Sequence, residues 1–570
     1  VAGFTSESRQ LDFLATKQPF LEFFLSLAAG PLAQDLSARQ AALDVWLRRK
    51  GILLDAQRRY QEAIFYGATP EVIAVFQNLS QVRSRISQLT FAGPNKEGFE
   101  AHAKQINELE EEKKKLEDRL ASLSQAYAAK LKTERVDSRK VADALPPGSV
   151  LVEIARICPF DYHFAGPERP FLPARYLVFI LPAGQPEKIH LIDLGPAEPI
   201  DQTVKQIKYI LEQVKKDINE LRALPNTRLT ALTKRLHNQV FAPIKQAIGS
   251  AREIFISPDG QLSLLPFEIL QDDDDRYLIE EYTFNYLASG RDLLGFDQAS
   301  GPGGPPVIFG NPDFDLKVRP QVSPDKSQKR ADGTGGQLFG PLPGTELEAV
   351  AIHQLLGVNQ AEIYLKTEAR EDTLRSQKAP RILHLATHGF FLSDQDYSNL
   401  VLDRQTQAPG EKVINQQAQL SMANIKNSLL RSGLALAGAN NLSATDLPNQ
   451  ADGLMTAEKI LSLNLQGTEL VVLSACDTGL GEVKVGEGVY GLRRAFLQAG
   501  TKGLVMSMWQ VQDKETQELM IAFYQNMIQG HMSRREALRW AALQEKDIVF
   551  QRYGHTNPVF WGAFVYLGQP

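Results

Sequence analysis

Two stretches decide how this chain is read: RILHLATHGFF at residues 381–391 and ELVVLSACDTGLG at residues 469–481. In the first, an apolar run ends in His388, followed at once by Gly389. In the second, an apolar run ends in Cys476, and the loop behind it contains Gly479 and Gly481. Short apolar runs bounded by turn residues are the pattern of strands buried on both faces. Open parallel sheets bind their ligands beyond the carboxyl ends of the strands. If these two strands are neighbours, an imidazole and a thiol emerge side by side on that edge. A thiol is a weak nucleophile until a base or a positive neighbour makes it a thiolate. A nearby imidazole does this near neutral pH and can return the proton to a leaving amine. The backbone N–H groups of Gly389 and Cys476 would then serve as the oxyanion hole.

Around these stretches, strands and helices alternate. Short β-rich runs are expected at Val150–Ile154, Tyr176–Leu181, Ile189–Asp193 and Glu253–Ser257, with amphipathic helices at Asp201–Leu221 and Leu229–Ile248. A second series has strands near Glu362–Leu365, Ile382–Ala386, Leu400–Leu402, Leu470–Leu473 and Gly503–Met508. Such alternation argues for an α/β layer with a mostly parallel sheet. Residues before about 135 read as helical, ending in two amphipathic segments, Glu71–Leu89 and Glu97–Lys132, joined by a Gly-Pro turn. They are expected to form an antiparallel hairpin that projects from a core. The stretch Ala299–Phe339, rich in Gly, Pro and charge, is expected to be a flexible linker. The organisation expected is therefore a helical region at 1–140, a first α/β part at 141–300, a linker at 301–341 and a second α/β part at 342–570.

The totals exclude several function classes. The 570 residues call for several packed units, and a net charge of −5 offers no basic face for nucleic acid. No apolar run reaches the length of a membrane span, and no secretory leader opens the chain. The first residue is Val1 rather than Met, as expected of a fragment or a processed chain. Two cysteines, Cys158 and Cys476, cannot build a disulfide scaffold or a Cys-rich zinc cluster. A reduced, cytoplasmic setting and no cofactor or metal are the expectation. Cys158 reads as structural, and His384, four residues before His388, as a satisfied core histidine. Gly486-Glu-Gly-Val-Tyr-Gly fits the dinucleotide pattern of glycines, but that fingerprint follows directly on its strand. Here about ten residues intervene, so the glycines are expected to turn the loop.

The blocks HLATHGFF, SGLALAGAN, DGLMTAEKI, LVVLSACDTGLGE, GEGVYGLRRAFLQAGTKGLVMSMWQVQD and HTNPVFWGAFVYLG together resemble the CHAT domain. So do ISPDGQLSLLPFEIL, YLASGRDLL, GNPDFD and LPGTELEAV upstream, which extends the resemblance over roughly residues 140–570. The resemblance implies a caspase-like, separase-related cysteine peptidase of a kind that commonly follows tetratricopeptide repeats in bacterial proteins. It implies His388 as base, Cys476 as nucleophile, and Gly389 and Cys476 as oxyanion donors. It also makes the first α/β part a non-catalytic companion of the second. The repeats themselves have no counterpart here, since no repeat of that period runs through the chain. By the same resemblance Asp513 lines a pocket for a basic substrate side chain, with Asp477 as second candidate. The competing reading of Asp513 is a cap on the helix beginning near Lys514. The function expected is an endopeptidase cutting a protein partner after a basic residue, under control of a regulatory partner. The rival is a signalling scaffold whose peptidase fold only binds.

Overall fold

The computed structural model describes residues 7–66, 69–92, 99–128, 136–163, 170–212, 221–223, 225–296, 301, 303–316, 339–391, 428–440, 451–475 and 481–570. Five helices open the chain: α1 (Glu7–Ala29), α2 (Leu36–Arg49), α3 (Ile52–Tyr66), α4 (Pro70–Ala92) and α5 (Phe99–Ala128). Behind them runs an eleven-stranded sheet. The first part of the chain supplies β1 (Ser149–Ile157), β2 (Arg175–Pro182), β3 (His190–Pro196), β4 (Glu253–Ser257) and β5 (Thr283–Tyr286). The second supplies β6 (Val307–Pro312), β7 (Glu362–Lys366) and β8 (Ile382–Ala386). Short strands β9 (Gly389–Phe391), β10 (Ser432–Ala435) and β11 (Leu454–Thr456) form a small separate sheet. After β12 (Leu470–Ser474) a hairpin of β13 (Glu482–Lys484) and β14 (Gly488–Tyr490) precedes β15 (Gly503–Ser507) and β16 (Phe564–Gly568).

The order across the large sheet is β3-β2-β1-β4-β5-β16-β15-β12-β8-β6-β7. The expected class, a mostly parallel α/β sheet with helices on its faces and a helical N-terminal region, is borne out. Its runs of Val, Ile and Leu are buried on both faces, as β1, β8 and β12 show. Direction matters more than order. β1, β4, β5 and β16 are parallel, while β16 meets β15 antiparallel, and β15, β12, β8, β6 and β7 are again parallel. The two parallel sets therefore point opposite ways. The carboxyl ends of β8 and β12 lie on the edge opposite to those of β1 and β4.

Two expectations are corrected here. Within the stretch expected as linker, Val307–Pro312 is β6, paired with both β7 and β8. Its apolar Val-Ile-Phe core outweighs the flanking glycines and prolines, and Ile308 and Phe309 are wholly buried. The helical hairpin does not project. Val72, Val75 and Leu79 of α4 pack on Leu120 of α5, and the pair lies against the second α/β part. There Arg83 and Lys113 reach the buried Glu458 carboxylate at 3.2 and 3.6 Å, and Ser87 bonds Thr456. Buried charge needs such partners, which explains why these helices are fastened down. The run expected at Leu400–Leu402 lies outside the described residues.

Candidate active site

β8 and β12 are parallel neighbours with Ala386 opposite Ser474. His388 stands two residues beyond the first and Cys476 two beyond the second. Cys476 and Asp477 lie outside the described residues, so the geometry of the site is built from its other members. Both approaches are tightly held. The Thr387 N–H donates to the Ser474 carbonyl at 3.2 Å, and the Ala435 N–H donates to the His388 carbonyl at 2.9 Å.

The His388 ring packs against a pair of aromatic side chains that also touch each other, with Phe314 and Phe339 centroids 5.9 Å apart. They lie 5.2 and 5.6 Å from the imidazole centroid. Nε2 is 2.8 Å from the carbonyl oxygen of Gly340. A carbonyl oxygen only accepts, so Nε2 carries a hydrogen, and whenever the ring is neutral the lone pair is on Nδ1. This tautomer makes Nδ1 the basic atom of the site. The segment bearing Phe339 and Gly340 is itself tied down. Asn440 accepts the Phe339 N–H at 2.9 Å and donates from its amide to the Phe339 carbonyl and to Asp315, each at 3.0 Å. Gly389, the expected oxyanion donor, opens β9 opposite Leu434 of β10. Phe390 beside it meets Phe91 of α4 at a centroid distance of 5.7 Å.

Asp513 begins the helix Asp513–Ile528 and does not cap it. The cap position is Gln512, with no side-chain bond. The Asp513 carboxylate instead accepts the Gly344 N–H at 2.8 Å, in the first turn of the helix Pro343–Leu356. An anion suits that place, because the first-turn N–H groups lack partners within their helix. Gly344 permits the approach, since a Cβ there would collide with the carboxylate. The sequence reading missed this pairing, and no local signal carries it. It also brings Asp513 within four residues of Gly340, the acceptor for His388.

His384 has no place at the site. It is fully buried, with Nε2 2.9 Å from Glu348 and Nδ1 3.2 Å from the Tyr524 hydroxyl. Cys158 is half-buried, and burial pushes its thiol up, with the Glu22 carboxylate adding to the shift. Gly486 and Gly488 take φ of +73° and +87° in the β13–β14 turn. These are conformations that glycine adopts freely, so the dinucleotide-like pattern marks a hairpin turn.

The CHAT domain matches residues 230–569, more than half of the chain. The chain belongs to the CHAT domain family. The CHAT match begins at residue 230 rather than near residue 140, as the resemblance had suggested. Tetratricopeptide repeat protein 28 of Homo sapiens is 26% identical over 323 residues, covering 56% of this chain and 12% of that protein. Its Mus musculus counterpart is 25% identical over 326 residues, again 56% and 12%. The CHAT chain thus spans about 12% of the length of these curated relatives. Among solved structures, separase in its Saccharomyces cerevisiae complex with securin aligns over 80% of this chain and 32% of its own, at 11% identity and a TM-score of 0.39. The Arg specific cysteine proteinase gingipain R aligns over 60% and 67%, at 7% identity and a TM-score of 0.32. No helix among the described residues of the CHAT chain is long and apolar enough to cross a membrane.

Proposed function

We propose that the chain is a cysteine endopeptidase in which Cys476 is the nucleophile and His388 its general base. The observation that carries this reading is the state of His388. Its Nε2–H is committed to Gly340, so in the neutral ring the lone pair is on Nδ1, just beyond a strand whose parallel neighbour leads into Cys476. Nδ1 takes the thiol proton, the thiolate attacks the scissile carbonyl, and the imidazolium returns the proton to the leaving amine. The N–H groups of Gly389 and Cys476 hold the oxyanion.

The first α/β part is the non-catalytic companion. Counting from Glu153 opposite Ser257 as from Ala386 opposite Ser474, Ala155 stands where His388 does and Asp259 where Cys476 does. No thiol–imidazole pair is available there. Asp513 selects a basic substrate side chain, with Asp477 as the second acidic candidate. The substrate is a protein, a regulatory partner controls its cutting, and the setting is the reducing cytoplasm.

An acyloxymethyl ketone carrying arginine tests the enzyme reading against a purely binding scaffold. Covalent labelling at Cys476, lost in Cys476→Ala and in His388→Ala, is the expected result. A chain that binds the probe without forming the thioether would leave the scaffold reading standing.

A further inference from the structure

The block SGLALAGAN at residues 432–440 meets His388 twice. Its first part is β10, where Leu434 pairs with Gly389 and the Ala435 N–H donates to the His388 carbonyl at 2.9 Å. Its last residue, Asn440, reaches the surroundings of the imidazole ring. Between the two the chain turns at Gly438, whose φ of +91° suits glycine. Ala439 is 1% exposed, in the apolar cluster that contains Phe314 and Ala435.

Asn440 bonds to two separate pieces of chain. Its backbone N–H donates to the Phe314 carbonyl at 2.9 Å, and its amide donates to the Asp315 carboxylate at 3.0 Å. Toward the other piece, its side-chain oxygen accepts the Phe339 N–H at 2.9 Å and its amide donates to the Phe339 carbonyl at 3.0 Å. The amide thus serves Phe339 as a neighbouring strand would, satisfying both backbone groups. These are the pieces that touch His388: Phe314 and Phe339 supply the rings against its imidazole, and Gly340 supplies the acceptor for Nε2. Gly340 and Pro341 are exposed, so burial does not fix that acceptor. Its placement rests on the bonds to its neighbour Phe339.

Resting on the peptidase reading, we propose that Asn440 is a positioning residue for His388. It acts through other groups. Its bonds to Phe339 fix the Gly340 carbonyl that holds Nε2–H, and its bonds to Phe314 and Asp315 keep the aromatic pair on the imidazole. The ring is then held at one edge and against one surface, which sets the direction of Nδ1. That direction matters for rate, since a misplacement of about 1 Å can cost on the order of a hundredfold. The two ends of the SGLALAGAN block therefore share one task, the first holding the backbone of His388 and the last its side chain.

The test uses Asn440→Ala, Asn440→Asp and the double variant Asn440→Asp with Asp315→Asn. Two readouts are taken below the lowest thermal midpoint of the set. One is kcat and KM on a reporter peptide; the other is the proton NMR signal of the His388 Nε2–H, assigned by its absence in His388→Ala. Asn440→Ala is expected to lower kcat by about tenfold or more, with KM within about twofold, and to bring the Nε2–H into fast exchange with water. Asn440→Asp still accepts the Phe339 N–H but sets a second carboxylate against Asp315, so it should fall nearly as far. The double variant exchanges donor and acceptor across that bond and should recover kcat by about threefold or more over the single. Should Asn440→Ala not fold, the single and the double decide between them. A kcat within about twofold of the parent in Asn440→Ala, an unchanged Nε2–H signal, or no recovery in the double variant would overturn the proposal, and Asn440 would then hold the loop but not the base. Failure of the peptidase reading looks different: the parent would turn over no reporter, while the Nε2–H signal would still report whether Asn440 holds the ring.

Discussion

Asp513 and Gly344 are 169 residues apart in sequence, yet the carboxylate of the first accepts the N–H of the second at 2.8 Å. Four residues before Gly344, the Gly340 carbonyl accepts from His388. One short segment thus carries both the acceptor that sets the His388 tautomer and the donor that holds Asp513. The Asp513 charge is partly balanced by the N-terminus of the helix Pro343–Leu356.

Replacing Asp513 by Ala has two separable consequences. Losing a carboxylate on a first-turn N–H costs about 1 kcal/mol of stability. Losing the partner of a buried substrate cation costs about 3–5 kcal/mol of transition-state binding, roughly two to four orders of magnitude in kcat/KM. Paired arginine and leucine reporters should show the arginine rate collapsing while the leucine rate holds. If the two fall in the parent's ratio, Asp513 only caps the helix Pro343–Leu356, and the search for the pocket moves to Asp477.

The aromatic walls of His388 invite a second measurement. Phe314 is 3% exposed and stands 5.2 Å from the imidazole. Phe314→Leu leaves the apolar volume mostly filled but frees the ring to tilt. A fall in kcat of about tenfold, near 1.4 kcal/mol, with little change in KM, is the expected outcome. A kcat equal to the parent's would mean that the Gly340 bond alone orients the base.

The junction of α2 and α3 holds a buried cation, Lys50, only 1% exposed. Its ammonium donates to Glu153 at 2.7 Å, to the Ser257 hydroxyl at 2.7 Å, and to the carbonyls of Ser257 and Ile154 at 2.8 and 3.0 Å. Lys50→Met strands the Glu153 carboxylate in the core, a loss typically of about 3–5 kcal/mol. Urea unfolding should show it. The double variant Lys50→Met with Glu153→Leu should regain much of that loss, since no charge is then left unpaired.

Glu545 makes stability fall with pH. It is 1% exposed, and neither oxygen has a hydrogen-bond partner among the described residues. Burial pushes its pKa up to about 8, with the Glu518 and Glu515 carboxylates adding and Arg552 opposing. The folded state therefore holds the proton more tightly than the unfolded chain. This contribution is full below about 4.5, the ordinary value, and is lost as pH rises to about 8. Glu545→Gln should match the parent at the acid end and exceed it by roughly 1–3 kcal/mol above pH 8. Thermal midpoints across that range check the sign, and a gap that does not widen with pH refutes it.

The strands that lead to the site were readable from residues alone. Ile382–Ala386 and Leu470–Ser474 are continuous apolar runs followed by His-Gly and by a Gly-bearing sequence, and local pattern is enough to read them as buried strands. The helical N-terminal region was readable for the same reason, through its three- and four-residue spacing. What sequence could not supply is anything that depends on which distant surfaces meet. β6 hides among glycines and prolines because its burial comes from β7 and β8, not from its own flanks. β16, at the end of the chain, joins the two parallel sets in the middle of the sheet, and its antiparallel pairing with β15 turns one set against the other. The partners of Asp513 and Glu487 are equally non-local. A carboxylate's role follows from the donor it finds after folding, and those donors, Gly344 and Arg49, are chosen by packing between segments far apart in sequence. Short-range patterning specifies elements and their ends, while burial and hydrogen-bond satisfaction across the assembled core decide who faces whom.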